Sequence, residues 1–316
     1  AVRFLILYLI ANISFAEIVY KLGIGSCVDQ DYPTPAWASL EKESINSFFF
    51  LGDNIYGDVP SGRLDNVILS YEKLNDQMPS WLKNTEKLVI WDDHDYGLND
   101  AGANYIYKAE SQQIYNDAWD IDQNDPRRSR EGIYFSELKD IAGKKILIVG
   151  LDTRYFRSNL IKIGNSYKPH KNSNTTILGP IQWQWLEKEL SREHDILILA
   201  SSIQVLATEH RFEKWSNMPH ERDKLLALLN NLSSNVLIIS GDRHRSGFYK
   251  LDNIYEFTSS SLNKGIFSSY ESDSLLIGKT YIQNNYGIVQ FHENTLNLFI
   301  KDENMNILES LEIPLK

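Results

Sequence analysis

Four short stretches of this 316-residue chain carry side chains that bind cations or move protons. Cys27 follows Gly25-Ser26. Gly52-Asp53-Asn54-Ile55-Tyr56 sets a carboxylate able to bridge two cations three residues before a phenol able to reach one of them. Asp92-Asp93-His94-Asp95 puts four polar groups in a row, a costly cluster unless something positive lies beside it. Gly241-Asp242-Arg243-His244 holds a carboxylate and an imidazole two residues apart, and on an extended segment both project the same way. Each stretch also has a plainer reading: an ordinary turn at Gly52-Asp53, a solvated turn at 92–95, a satisfied polar histidine, a buried core cysteine. Their coincidence points instead to a metal site with an acid beside it.

The elements that must position these groups are visible as apolar runs at residues 18–24, 48–51, 88–91, 146–151, 196–200 and 236–239, each ending abruptly in small or polar residues. Runs of this length without alternation read as strands buried on both faces. Ligands in open sheets of such strands sit outside the carboxyl ends. One sheet is therefore expected to gather Cys27, Asp53, Tyr56, Asp93, His94, Asp242 and His244 along a single rim. Helices are expected at 67–74, within the excursion 98–130, from Gly179-Pro180 with its proline in the first turn, and at 221–232. Residues 132–138 and 145–149 read as a hairpin, and 159–174 as a polar loop. Beyond residue 246 short strands dominate, at 248–251, 255–258, 287–291, 296–300 and 307–313. The order predicts an α/β fold, one sheet with helices outside packed on a second sheet completed by the C-terminal strands, in one compact domain over 17–316.

Hydrophobic residues make up 42% and charged residues 23% of the chain, with a formal net charge of −10. That balance predicts a globular protein without specific nucleic-acid binding, since bulk charge would repel a polyanion. An anionic substrate needs local compensation from metals or arginines. Residues 1–16 differ: Arg3 is the only charge, 4–13 is almost wholly apolar, and Ala16 ends the stretch. This is the layout of a secretory signal peptide, too short for a membrane span of ~20 apolar residues. A secreted or periplasmic protein, exported by the general route and without a transmembrane segment after cleavage, is expected. A buried strand or retained anchor is the alternative. With one cysteine in the chain no intramolecular disulfide can form.

At this point the sequence resembles the alkaline phosphatase D (PhoD)-like phosphatases of the calcineurin-like metallophosphoesterase superfamily. The resemblance rests on Gly25-Ser26-Cys27, Gly52-Asp53-Asn54-Ile55-Tyr56, the run from Trp91 to Asp100, Leu151-Asp152-Thr153-Arg154, Leu178-Gly179-Pro180 with Gln182, Trp185 and Leu186, and Gly241-Asp242-Arg243-His244. It implies a four-layer α/β/β/α sandwich with mixed sheets. It also implies one metal held by Cys27, Asp53, Tyr56 and His244, and a second sharing Asp53 and taking Asp93 and Asp242. Gln204, or a hydroxyl of Ser201 or Ser202, is expected near the second metal where the superfamily has a histidine. His94 is similar to the family's catalytic histidine.

The resemblance points to Fe³⁺ with Ca²⁺. The donor types alone also allow Zn²⁺ or Mn²⁺ in the first site and Mg²⁺ or Mn²⁺ in the second. The implied reaction is hydrolysis of a small or polymeric phosphate mono- or diester by a hydroxide activated between two metals. His94, oriented by Asp95, is the expected acid. Arg154, with Arg157 or Arg243 behind it, is the expected clamp on a phosphoryl oxygen, unless it forms an internal salt bridge with Asp152. Tyr96 and Asn99 either shape the substrate mouth or form turns. Two other classes remain open on sequence: a non-catalytic metal-binding surface protein on this scaffold, and a thiol enzyme with Cys27 as nucleophile.

Overall fold

The structure, a computed structural model, describes residues 18–265 and 269–316. The expected leader at 1–16 lies outside the described residues. In chain order the strands are β1 (Tyr20–Gly25), β2 (Ser47–Leu51), β3 (Glu86–Ile90), β4 (Phe135–Ile141), β5 (Lys144–Gly150), β6 (Ile161–Ile163), β7 (Ser166–Lys168), β8 (Ile196–Ser201), β9 (Asn235–Ser240), β10 (Ser246–Leu251), β11 (Ile254–Ser259), β12 (Leu276–Tyr281), β13 (Asn285–Phe291), β14 (Thr295–Asp302) and β15 (Ile307–Pro314). The helices are α1 (Ala36–Glu43), α2 (Asp65–Gln77), α3 (Ser80–Asn84), α4 (Asp93–Tyr96), α5 (Lys108–Ala118), α6 (Gly179–Leu190) and α7 (Pro219–Asn230).

Two large mixed sheets result. The first runs β15-β14-β13-β1-β2-β3 and the second β12-β10-β11-β9-β8-β5-β4. The unalternating runs are their parallel centres: β1, β2 and β3 in one, β5, β8 and β9 in the other. Successive side chains leave opposite faces of a strand, and the packing obeys this. Phe49 meets Phe135 of the facing sheet, while Phe48 and Phe50 meet Trp37 of α1 on the outer side. In β5, Ile146 and Ile148 join the core between the sheets, and Leu147 and Val149 join the core beneath α6 and α7. The order is helices, sheet, sheet, helices, as expected.

The distribution of strands differs from expectation in two respects. The rim belongs to both sheets rather than to one. The C-terminal strands are also divided: β10, β11 and β12 extend the second sheet, whereas β13 pairs antiparallel with β1 and carries β14 and β15 into the first. Two edges had to be extended, and one chain tail serves both. The polar stretch 159–174 contains a two-stranded ribbon, β6 with β7. Among the described residues no helix is long and apolar enough to cross a membrane.

Candidate metal centre

Both sheets end their parallel strands at the same place. Gly241, just past β9, lies so close to the first sheet that a Cβ there would sit 2.7 Å from the Leu51 carbonyl and 2.7 Å from Ser26 Oγ. Gly52 has φ +95°, and a Cβ on it would meet Asp92 Cβ at 2.6 Å. Only glycine lets the ends of β1, β2, β3 and β9 approach this closely. Immediately beyond them Cys27, Asp53, Asp242 and His244 all adopt left-handed backbone, with φ of 58°, 50°, 65° and 49°. Such a conformation costs roughly 1–2 kcal/mol for each non-glycine residue. Four of them at one rim mean that the fold is paying conformational strain to aim four side chains inward.

Those side chains converge. Ligand-capable atoms of Cys27, Asp53 and His244 lie within 4.8 Å of one another, and the same holds for Asp53 with Asp93 and His94, and for Asp53 with Asp92 and Asp242. Asp53 is common to all three groups, the position a bridging carboxylate needs. Cys27 Sγ is 3.5 Å from Asp53 Oδ2, and the Tyr56 hydroxyl is 3.3 Å from the same oxygen. His244 Nδ1 is 2.7 Å from the Lys264 carbonyl, which fixes the ring. Cys27, Asp53 and Asp92 are fully or almost fully buried. Among the described residues Asp53 Oδ1, Asp92 Oδ2 and Asp242 Oδ2 are buried without a hydrogen-bond partner. Three orphaned carboxylate oxygens in one place are the surroundings a cation would satisfy.

The electrostatics carry the same message. Burial pushes the Asp53 and Asp92 carboxyls well up, and it pushes Asp242 up to about 7 with the Asp93 charge adding to it. Burial also raises the Cys27 thiol and the Tyr56 phenol. Asp93 is the exception. Burial opposes its charge, but His94, Arg154 and the Asp100 N–H at 2.6 Å hold it below the usual range. His94 is the cationic member. Burial works against its proton, yet the charges of Asp93, Asp53 and Asp58 push it up to about 11. Its Nδ1 lies 2.5 Å from Asp58 Oδ1.

Several expected roles change. The partner of the His94 ring is Asp58, not Asp95. Asp95 is buried beneath the loop and accepts the N–H groups of Asn54 and Asp92 and the Tyr71 hydroxyl, so it shapes the turn. Arg154 has no exposed surface and does not line the cavity. Its guanidinium pairs with Asp92 at 2.5 Å and Glu213 at 2.6 Å, while Asp152 accepts only its backbone N–H. It is therefore neither a substrate clamp nor an Asp152 partner. Arg157 is likewise buried, against Glu213 and the carbonyls of Asp100 and Ala101. Gln204 is buried, donates to Thr258 Oγ1 at 2.8 Å and does not line the cavity. Ser202 Oγ bonds Asp92 Oδ1 at 2.5 Å. Tyr96 is buried with its hydroxyl on the Gly102 carbonyl, a packing role, whereas Asn99 does line the cavity.

Arg154 yields a stability prediction. Removing one member of a buried ion pair strands the others, at a cost of about 3–5 kcal/mol. Arg154→Met is expected to lose that much in denaturant unfolding, because buried Asp92 would lose its guanidinium partner and Glu213 would keep only Arg157. A loss below about 1 kcal/mol, the usual size for a surface ion pair, would contradict the network.

Residues outside the sequence reading also contribute. Asp92 joins the cluster as well as Asp93. Asp58 follows Tyr56 by two residues, and the Ser259-Ser260-Ser261 stop at the end of β11 is the same polar ending that marked the other strands. Ser260 Oγ lies 3.1 Å from Cys27 Sγ and accepts the His244 N–H at 2.9 Å, tying two ligands together. The cluster opens into a cavity of about 580 Å³ whose wall includes Asp53, Tyr56, Asp93, His94, Asp242 and His244.

The same architecture occurs in solved structures. A PhoD structure superposes with a TM-score of 0.70 at 18% identity over 95% of this chain and 69% of that one. GAP50, described as the anchor in the inner membrane complex of Plasmodium, gives 0.66 at 12% over 95% and 90%. The purple acid phosphatase PPD1 from yellow lupin seeds gives 0.64 at 13% over 95% and 54%, so this chain spans about half of the plant protein. These likenesses show the fold. No curated protein sequence matches the chain. The sequence description of PhoD-like phosphatases, however, matches residues 68–306, from α2 through the 92–95 cluster and the Asp242–His244 turn to β14. Cys27, Asp53 and Tyr56 precede that stretch and reach it through the sheet. With most of its length and most of its converging ligands inside the match, the chain belongs to the PhoD-like phosphatase family.

Proposed function

We propose that the protein is a phosphoesterase that hydrolyses phosphate mono- or diesters with two metal ions. Cys27, Asp53, Tyr56 and His244 would hold one ion, and Asp53, Asp92, Asp93 and Asp242 the other. Thiolate, phenolate and imidazole suit a strongly Lewis-acidic ion such as Fe³⁺, and an all-oxygen set suits Ca²⁺, Mg²⁺ or Mn²⁺. We put forward Fe³⁺ with Ca²⁺. Ions so held supply a water of lowered pKa and positive charge against the phosphoryl oxygens. The observation that carries the reading is the coincidence of orphaned carboxylate oxygens with a proton-holding histidine in one cavity.

His94 would give its proton to the departing alcohol, with the Asp58 carboxylate holding its ring oriented and charged. A binding-only protein has no use for such an acid, and this favours catalysis over a non-catalytic metal-binding surface protein. A Cys27 nucleophile fits poorly, because the thiol is fully buried and its ionisation is suppressed there. The apolar stretch 4–13 supports export by the general secretory route, and we treat 17–316 as one unit; N-terminal sequencing of the mature protein checks both the cut and its place.

The direct test is release of nitrophenol from nitrophenyl phosphate and bis-nitrophenyl phosphate, before and after chelation. Chelator-sensitive hydrolysis of at least one is expected. Inertness of both esters with metals present would reject the reading.

Metal removal also has a pH signature. Asp242 titrates near 7 in the folded chain against an ordinary value of 3.8. A raised carboxyl stabilises the folded state below its unfolded value, and that contribution disappears as pH rises through the folded one. Between pH 4 and 7 the metal-free fold therefore loses that stability, because the unfolded chain ionises there while the buried Asp242 carboxyl still holds its proton. The drop in Tm on chelation is expected to be larger at pH 7 than at pH 5. An equal drop at both values would contradict this.

A further inference from the structure

Besides His94, four lysine and arginine side chains line the cavity: Lys162, Arg211, Arg243 and Lys264. Two are already matched, Arg243 by Glu271 at 2.8 Å and Lys264 by Asp29. Lys162 and Arg211 are exposed and pair with no carboxylate among the described residues. In a chain of net charge −10, two unmatched positive charges at the mouth of one cavity stand out.

They are also held in place. Lys162 sits on β6 with its ammonium 5.5 Å from the Tyr167 ring centroid, and the Arg211 guanidinium lies 4.9 Å from the Phe212 ring; both rings line the cavity. The Tyr167 N–H donates to the Arg211 carbonyl at 2.9 Å, so the β6–β7 ribbon and the 211 loop carry the two cations as one wall. That wall is tied back to the metal centre. The Tyr167 hydroxyl bonds the Asp100 carboxylate, and the Asp100 N–H donates to Asp93 Oδ2 at 2.6 Å. The cavity continues past Lys162 and Tyr167 into a second one of about 550 Å³, which shares Asn99, Asp100, Lys162 and Tyr167 with the first. A bound ester therefore has room for a long alcohol beside Lys162.

We propose that Lys162 and Arg211 form a subsite for a second phosphate carried on the alcohol side of the substrate. This rests on the phosphoesterase reading of the metal centre. Guanidinium and ammonium groups are the phosphate-binding side chains, and charge-assisted bonds to a phosphate are stronger than neutral ones. A neutral alcohol would leave both cations merely solvated. The ions of the centre would engage the reacting phosphate, and the ribbon wall would select esters bearing a second one.

The test compares a matched pair, propane-1,3-diol bisphosphate and 3-hydroxypropyl phosphate, on the metal-loaded full chain. The wild type is expected to favour the bisphosphate in kcat/KM by at least about tenfold at low salt, and to lose most of that preference at 1 M salt, where the Debye length is ~3 Å. The double variant K162A/R211A is expected to bring the ratio near one, and K162R and R211K to retain most of it. Thermal melts check that each variant folds. Equal use of both esters by the wild type, or a preference that survives in K162A/R211A, overturns the subsite and leaves solvated surface cations only. If neither propyl ester is turned over, calorimetric binding of the bisphosphate decides instead: weakening by about tenfold in K162A/R211A supports the subsite and equal binding overturns it. The nitrophenyl assays report separately on the centre itself, so failure of one reading is distinguishable from failure of the other.

Discussion

Replacing Asp53 with Asn is expected to abolish turnover, by at least about a thousandfold in kcat/KM, together with loss of bound metal. Loss of a residue that merely supports a ligand typically costs 10–100-fold in affinity or activity, and a shared ligand should cost more. Asp53 belongs to all three converging groups, and the Cys27 thiol and Tyr56 hydroxyl both contact its Oδ2. The substitution keeps size and shape but removes the charge that two cations would share. It also removes a buried carboxylate that burial already disfavours. The metal-free variant should accordingly be as stable as the metal-free wild type, or more so, in chemical denaturation. Retained activity with normal metal content would remove Asp53 from the centre. A large loss of metal-free stability would recast it as a structural residue.

His94→Ala is expected to act differently, leaving metal content intact while lowering kcat. General acids typically contribute about 10²–10⁴-fold. That full range should appear with 3-hydroxypropyl phosphate, whose alkoxide cannot leave without a proton. Nitrophenyl phosphate should suffer much less, because nitrophenolate departs unprotonated. Asp58→Asn should show the same leaving-group pattern to a smaller degree, since it weakens the hold on the imidazole without deleting it. Equal losses on both esters would show that His94 contributes something other than a proton to the alcohol.

Much of the centre could be read from residues because its signal is local. An apolar run that stops at a small or charged residue marks a strand end, and the strands ending at Gly25, Leu51, Ile90 and Ser240 brought Cys27, Asp53, Asp93 and Asp242 to one rim. Roles that depend on contacts between distant segments were the ones misread. Arg154 is the expected phosphoryl clamp, with a salt bridge to Asp152 as its alternative. Its partners Asp92 and Glu213 lie 62 and 59 residues away in sequence, and only the folded core reveals that they claim its guanidinium. Asp95 is the expected partner of His94, but a short helix turns neighbouring side chains apart and hands the ring to Asp58. The division of strands into two sheets was hidden for a related reason, since no local pattern says which edge β13 will join. The exposed β6–β7 ribbon, too short and polar for a period to show, was read as a loop.

Anomalous diffraction from crystals grown with Mn²⁺ or Fe³⁺ would test the central claim most directly. The expected map has two peaks flanking the Asp53 carboxylate, one touching Cys27 Sγ and the His244 ring, the other touching Asp242. A map with no peak beside Asp53, from protein active in the same solution, would contradict it.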